Sequence, residues 1–310
     1  MPNSFSQPSQ PRLVDWSRLR AELLWAYCGP PIMPQAEHRY EYPVLMCWLI
    51  LQGQVQAFSP GSGSIKAKAG DWLFMPDDKQ GHTFSEDAKI ISLRLIVQWP
   101  NQQHLYDHNQ WIRFADAEYP QLQKQSWNLV RRAYAILKSK PAEVMSTDMT
   151  TLPCNLAQYL QLEQAVLKWV EIYDRTMQKL QIKRSVMVQP DKRVAQCLRY
   201  IEQLPPNREF DEKQLARSLG LSAGRMNRLF SQHIHMTPKA YAGKLRVNDA
   251  IKLLTTTNLP IKELTYRLGF KQQSHFANWF WKRTGYYPTD YRQSFKKPSM
   301  AQIIETIKSG

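Results

Sequence analysis

The sequence predicts an α+β protein of two domains, in which a front half of strands and helices precedes an all-α back half. Three observations support this prediction. Residues 37–98 contain short apolar segments between Gly and Pro turns, residues 121–182 change to a helical period, and the chain after Asp191 is helical throughout. At roughly 100–200 residues per domain, 310 residues suffice for two to three domains.

The strands of the front half are predicted from apolar runs and turn residues. Gly53, Pro60-Gly61-Ser62-Gly63 and Gly70-Asp71 separate neighbouring segments. Several short strands joined in this way indicate an antiparallel barrel or sandwich. The predicted strands are Tyr42–Leu51, Gln54–Ser59, Ile65–Lys68, Trp72–Met75 and Ile90–Val97.

Two helices are predicted after the strands. The first carries Leu122, Ser126, Leu129, Ala133 and Ile136 on one face. The second runs from about Asn155 to Gln181, and its apolar residues alternate at spacings of four and three. Such a stripe either packs on its own barrel or forms a dimer seam, and the sequence leaves both interpretations open. The stripe consists of Val166, Val170, Tyr173, Met177 and Leu180.

Composition excludes several classes of protein. The longest apolar run, Val44–Leu51, is far shorter than the roughly 20 residues that a membrane helix needs. The N-terminus has no apolar segment of the signal-peptide kind. The four cysteines have no CxxC spacing, which indicates buried thiols in a reducing cytoplasm rather than disulfides or a zinc ribbon. We therefore expect a cytoplasmic protein without a membrane partner.

The positive charge is concentrated in the back half. Of the net charge of +15, residues 191–310 carry +12, with 21 Lys and Arg against 9 Asp and Glu. A nearly neutral front half and a basic back half indicate a sensing domain and a domain that meets a polyanion. A basic tail that binds membranes or acidic partners is the alternative.

The back half contains a duplicated unit. Leu215, Ala216, Leu219 and Gly220 recur as Leu264, Thr265, Leu268 and Gly269, 49 residues later, and Phe230, Pro238 and Tyr241 recur 50 residues later. The change of offset falls after Gly220, where a turn can absorb it. Each unit has the pattern of a helix-turn-helix, whose second helix can lie in the DNA major groove.

Local signals support both helix-turn-helix units. Asp211 and Ser222 are predicted helix caps in the first unit, and Gly220 and Gly269 are the turn residues. Pro260 stands where a first helical residue belongs. The helix between the units begins after Pro238 and ends near Thr256, about 18 residues or roughly 27 Å. Successive major-groove faces lie about 34 Å apart, so this helix could place both units on one side of DNA.

Three segments carry a resemblance to the AraC/XylS family of bacterial transcription regulators: LARSLGLSAGRMNRLFSQHIHMTPKAY, IKELTYRLGFKQQSHFANWFWKRTGYYPTDYR and, for the linker helix, KLRVNDAIKLL. The resemblance covers about 191–293. The sequence departs from the family pattern at His235, where glycine is usual, and at Ala277-Asn278 and Trp281.

The resemblance implies a cupin-like front barrel that binds a small-molecule effector. GDWLFMP at 70–76, followed by His82, resembles that barrel. The domains expected are a flexible arm at 1–12, an effector-binding and dimerisation domain at 13–182, a linker at 183–190, an AraC-type DNA-binding domain at 191–296 and a tail at 297–310. A homodimer with RNA polymerase as a further partner is expected, with no cofactor or metal.

Candidate DNA contacts lie on the second helix of each unit. Asn pairs with adenine and Arg with guanine or phosphate. In the second unit we expect Gln273 and Asn278 to read bases, Lys271, Lys282 and Arg283 to touch phosphates, and Ser274 either to read or only to cap. The full set of expected contacts is Gly224, Asn227, Arg228, Ser231, Gln272, Gln273, Ser274, Asn278 and Lys282.

Candidate effector contacts are aromatic and basic residues on strand-like segments, a combination that suits a sugar or another polar ligand. They are Arg39, Trp48, Trp72, His82 and Arg94. Core packing is the alternative role of each. A rival function is a cupin-type metalloenzyme with a basic accessory domain, against which the missing His-x-His-plus-Glu cluster argues. A third is an architectural DNA binder without an effector, which a defined pocket would disfavour.

Overall fold

The computed structural model of the chain describes residues 11–39, 44–78, 80–137, 149, 153–185 and 191–294. The predicted arm at 1–12, apart from its last two residues, lies outside the described residues. Most of the predicted linker at 183–190 and the tail at 297–310 lie outside them as well.

Antiparallel strands form two sheets in the front half. One sheet has the order β1-β8-β3-β6-β9 and the other has the order β2-β7-β4-β5. The predicted strands of residues 42–97 are all present with small shifts at their ends. The strands are β1 (Arg20–Gly29), β2 (Gln35–Arg39), β3 (Leu45–Gln52), β4 (Gln54–Ser59), β5 (Gly63–Lys68), β6 (Asp71–Phe74), β7 (Gln80–Phe84), β8 (Lys89–Gln98) and β9 (Ile112–Ala115).

The register of the five-stranded sheet divides its side chains between two cores. Trp48 pairs with Leu73, and Leu49 pairs with Trp72. Residues directly opposite each other share a face, whereas neighbours along a strand point to opposite faces. Trp48 and Leu73 therefore lie in the core between the sheets, and Leu49 and Trp72 lie in the larger core under the helices.

Helices α2 (Pro120–Leu137) and α3 (Leu156–Lys179) cover the outer face of the five-stranded sheet, after the short α1 (Leu13–Trp16). The buried face of α2 is the predicted one, and Asn155 caps α3 by accepting from the Gln158 amide at 2.9 Å. The structure decides the role of the α3 stripe. Val166, Val170, Tyr173 and Met177 are buried in their own domain, and Leu180 packs against the same core, so the prediction of a dimer seam through these residues is wrong.

The start of the predicted linker is attached to the front domain. The Asp174 carboxylate accepts from the Tyr106 hydroxyl at 2.6 Å and from Arg184 at 2.5 Å. The Ser185 amide donates to the Leu105 carbonyl at 2.9 Å. We call Tyr106, Asp174 and Arg184 the linker clamp, because they hold the chain to the front domain up to Ser185.

The back half consists of helices in the described residues, as predicted. Its two units have separate cores, one containing Phe230 and Tyr241 and the other containing Leu254, Phe276 and Phe280. One helix, α7, contributes to both. The helices are α4 (Lys192–Glu202), α5 (Glu212–Ser218), α6 (Ala223–Ile234), α7 (Pro238–Thr256), α8 (Ile261–Arg267), α9 (Gln273–Thr284) and α10 (Pro288–Ser294).

Candidate nucleic-acid interface and effector cavity

The first helix-turn-helix unit is α5, the turn at Gly220 and α6. Asp211 caps α5 by accepting from the Gln214 amide at 2.9 Å, and Ser222 caps α6 by accepting from the Arg225 amide at 3.3 Å. Gly220 has a φ of 65°, a left-handed conformation that glycine adopts most easily. The apolar face of α6 is buried, so its opposite face remains at the surface.

The second unit repeats this arrangement with α8, the turn at Gly269 and α9. Gly269 has a φ of 77°, which matches its counterpart in the first unit. Phe276 and Phe280 anchor α9 in its core. Pro260 occupies the N-cap and α8 begins at Ile261, so the expectation that Pro260 is the first helical residue is wrong by one position.

The expected DNA contacts fall into two groups. Asn227 donates its amide to the Glu212 carboxylate at 2.8 Å, and the Ser231 hydroxyl donates to the Met236 carbonyl at 3.1 Å. These two side chains brace the first unit internally. The others are exposed on the outer faces of α6 and α9 or at the start of α9: Gly224, Arg228, Gln272, Gln273, Ser274, Asn278 and Lys282.

Two exposed residues beside this set were not among the sequence candidates. Arg225 lies in the first turn of α6, three residues before Arg228, and His275 lies in the first turn of α9. Residues three apart on a helix are neighbours on its surface. The helical position of Arg225 relative to buried Met226 would have been enough to include it.

Three features connect the two units. Helix α7 has 19 residues and a length of about 28 Å, close to the length predicted from the sequence. Arg246 of α7 donates from Nε to the carbonyl of Leu268, at the end of α8, at 3.1 Å. The turn of the second unit also lies against the loop that leads into α5, because a Cβ added at Gly269 would lie 2.4 Å from the backbone oxygen of Asn207 in that loop.

The front domain contains a cavity of about 50 Å³ between its sheets. Trp48, His82 and Arg94, three of the sequence candidates, line it. His82 lies edge-on to Trp48 with ring centroids 5.0 Å apart, and its Nε2 lies 2.8 Å from the Met33 carbonyl oxygen. The strand register explains the grouping, because Trp48 pairs with Ser92 and Arg94 is two residues further on the same face of β8.

Two effector candidates have other positions. Trp72 is fully buried in the core under the helices, where its Nε1 donates to the Asp116 carboxylate at 2.7 Å. It does not line the cavity, so its prediction as an effector contact is wrong. Arg39 lies on β2, and its side chain is outside the described residues.

Metal-ligating and membrane-spanning features were searched in the described part of the chain. Within residues 11–39, 44–78, 80–137, 149, 153–185 and 191–294, no three His, Cys, Asp or Glu side chains are grouped so that they could hold a metal ion. No helix of those ranges is both long and apolar enough to cross a membrane.

Comparison with known proteins finds a matching domain and similar regulators. Residues 215–294 match a family model described as a helix-turn-helix domain. The arabinose operon regulatory protein of Escherichia coli is 30% identical over 131 residues, which are 42% of this chain and 42% of that protein. An uncharacterised HTH-type transcriptional regulator of Haemophilus influenzae is 24% identical over 264 residues, which are 80% of this chain and 83% of that protein.

The two-domain fold also has a solved counterpart. An apo form of ToxT from Vibrio cholerae superposes with a TM-score of 0.51 over 89% of this chain and 97% of that chain, at 10% sequence identity. At this identity the likeness concerns the fold alone. It confirms the prediction of a β-sheet domain with helices followed by an all-α helix-turn-helix domain.

The duplicated units with exposed second helices define a helix-turn-helix domain of the DNA-binding kind. Over its helix-turn-helix half, the chain is similar to transcription regulators of the AraC/XylS family. These relatives are described as regulators of transcription and not as enzymes, which disfavours the alternative of a cupin metalloenzyme. The matched region covers about two fifths of the arabinose regulator's length.

Proposed function

We propose that the protein reads two successive major-groove segments of its operator, one with α6 and one with α9, under the control of a small molecule bound in the front domain. The single observation that carries this proposal is the repetition of one structure. Both units place a polar and basic helix face outward after a left-handed glycine turn, in the half of the chain that holds most of the positive charge.

The exposed side chains divide by their chemistry into base readers and phosphate contacts. Arg228 on α6 and Gln273 on α9 have the donors that pair with guanine and adenine edges. Lys282, near the end of α9, is a compact cation that suits a phosphate. Asn227 is not proposed as a primary reader, because Glu212 already accepts from its amide nitrogen.

The proposal is tested by selecting preferred DNA sequences with the full-length protein and its Arg228→Ala and Gln273→Ala variants. We expect each variant to lose preference in one segment, and the two segments to lie about one helical turn apart. Arg132→Ala is the matched control, because it removes an exposed arginine from the front domain and should leave the preference unchanged. Loss of preference in the same segment for both variants would contradict the two-reader model.

We also propose that the protein is a homodimer, through the outer face of α3 rather than the stripe that the sequence suggested. Leu156, Leu160 and Leu167 on this face are 71%, 48% and 58% exposed, and Tyr159 is exposed beside them. Glu163 lies between Leu160 and Leu167 on the same face. Leu156, Leu160, Glu163 and Leu167 therefore follow one another at spacings of four, three and four residues. Apolar side chains exposed at such a spacing are typical of a helix that pairs with a second copy.

The effector is proposed to bind where Trp48, His82 and Arg94 meet. Aromatic walls with one arginine suit a small molecule that has both an apolar face and a polar group. The cavity of about 50 Å³ is well below the roughly 300 Å³ of a typical ligand site, so an occupant must displace side chains to enter.

A screen of sugars and small carboxylates for thermal stabilisation of the full-length protein tests this site. Trp48→Leu should abolish the stabilisation by a hit compound. Trp111→Leu, which changes a tryptophan outside the cavity lining, should not. A hit that stabilises both variants equally would place the effector elsewhere.

A further inference from the structure

A second cavity lies in the DNA-binding half, beside α7, the helix that joins its two units. It has a volume of about 350 Å³, against about 50 Å³ for the cavity of the front domain. Small-molecule sites typically measure about 300–1,000 Å³. The walls of this inter-unit cleft come from the loop between α4 and α5, from the first half of α7, and from the turn and helix α9 of the second unit.

One wall of the inter-unit cleft is aromatic and carries cations. The rings of Phe270 and Trp279 lie 5.1 Å apart. The guanidinium of Arg246 lies 4.2 Å from the Phe270 ring centroid, and that of Arg283 lies 4.7 Å from the Trp279 ring centroid. A guanidinium on an aromatic face is held in place while its edge can still donate hydrogen bonds.

The charge around the cleft favours an anion. A guanidinium has five N–H donors, and the Leu268 carbonyl accepts from two nitrogens of Arg246. Burial raises the pKa of Asp249. Four cations therefore face two acids in the lining: Arg208, Lys239, Arg246 and Arg283 against Glu209 and Asp249.

We propose that the inter-unit cleft is a second small-molecule site, which takes a flat apolar molecule bearing one anionic group. The flat body packs on Phe270 and Trp279, and the anion is bound by Arg246 and Arg283. The walls come from the loop that leads into α5, from α7 and from α9, so an occupant contacts the segment before the first unit and the second helix of the second unit together. Binding is therefore coupled to the angle between the two units, and so to DNA affinity.

Gly243 provides a way to close the cleft without damaging the fold. It lies on α7 in the lining, and a Cβ added there would meet no atom within 4 Å. Gly243→Met fills the space with a flexible apolar side chain. Gly243→Ala is the matched control, because it gives the helix a similar gain in propensity but leaves the cleft open.

The probe is 2-naphthoate, titrated by calorimetry into the full-length protein, with neutral 2-naphthamide as its charge control. We expect the wild type and Gly243→Ala to bind naphthoate alike, and Gly243→Met and Trp279→Ala to bind it at least about tenfold more weakly. Trp281→Ala, an exposed tryptophan on the same helix outside the cleft lining, should bind as the wild type does. Naphthamide should bind about tenfold more weakly than naphthoate, through loss of the charge-assisted hydrogen bonds.

Any of three results would overturn the proposal of a site in the cleft. Equal naphthoate affinity of Gly243→Met and Gly243→Ala, or no binding at millimolar concentration, would show that the cleft is not a site. Loss of binding in Trp48→Leu instead would assign the ligand to the front domain. As a second measurement, naphthoate should change the DNA affinity of Gly243→Ala but not that of Gly243→Met, and an equal change in both would refute the coupling.

Discussion

Gly269 and Gly220 are equivalent turn residues whose surroundings differ, which allows the contact between the two helix-turn-helix units to be measured. Both have a left-handed backbone, with φ of 77° and 65°. An added Cβ at Gly220 would meet no atom within 4 Å, whereas at Gly269 it would lie 2.4 Å from the backbone oxygen and 2.8 Å from the carbonyl carbon of Asn207. Alanine at either position strains the backbone. Only at Gly269 would its Cβ also overlap with another segment, the backbone of Asn207 in the loop before α5.

The expected losses of stability follow from the backbone strain at both glycines and from the overlap with Asn207 at Gly269. The left-handed conformation costs an L-residue about 1–2 kcal/mol, and this applies to Gly220→Ala and Gly269→Ala alike. The overlap with Asn207 must be relieved by moving backbone, for which overpacking costs of about 1–3 kcal/mol are typical. We therefore expect Gly269→Ala to lower the free energy of unfolding of the DNA-binding half by about 1–3 kcal/mol more than Gly220→Ala.

Urea unfolding followed by fluorotryptophan NMR is the suitable assay, because it resolves the signal of Trp279 from those of the front domain. This matters because a chain of two domains need not unfold in a single transition. Equal midpoints for Gly220→Ala and Gly269→Ala would refute the reasoning, since the contact between Asn207 and the Gly269 turn would then carry no energy.

Three further results are expected. Leu160→Glu should give a folded monomer by ultracentrifugation and circular dichroism, because Leu160 is exposed on α3. Val170→Glu should instead unfold the front domain, because it buries a charge. A folded dimer of Leu160→Glu would contradict the α3 interface. His235→Gly should stabilise the DNA-binding half by about 0.5–1 kcal/mol in urea unfolding, because His235 has a φ of 58°. Burial lowers the pKa of His108 to about 3, below its unfolded value of 6.5. Between pH 3 and 6.5 the unfolded chain therefore binds a proton that the folded chain does not. The free energy of unfolding should decrease as the pH is lowered through this range, by up to about 1.4 kcal/mol per pH unit, and less steeply in His108→Gln.

The back half could be predicted from the sequence almost completely. Its helices are short and separated by strong local signals, such as the caps Asp211 and Ser222 and the glycines at 220 and 269. Such signals act within a few residues, so no knowledge of the tertiary fold is needed to interpret them.

The front half could be predicted less completely, because the positions of its side chains depend on how distant segments pair and pack. Strand β1, with the sequence RAELLWAYCG, was not predicted, because it is buried on both faces and shows no alternation. Trp72 and Trp48 are both strand tryptophans, and only the pairing of Trp48 with Leu73 assigns them to opposite faces. The α3 stripe has a heptad spacing, which a helix packed on its own sheet can also satisfy.

The linker clamp determines how far apart two DNA-binding halves can be. The front domain holds the chain as far as Ser185, and α4 has its N-cap at Asp191. Six peptide units separate these residues, and at about 3.6 Å per residue they reach at most about 22 Å. In a dimer, the spacing of half-sites on DNA is therefore limited by this short tether. Each residue inserted after Ser185 should widen the tolerated spacing by up to about 3.6 Å per chain.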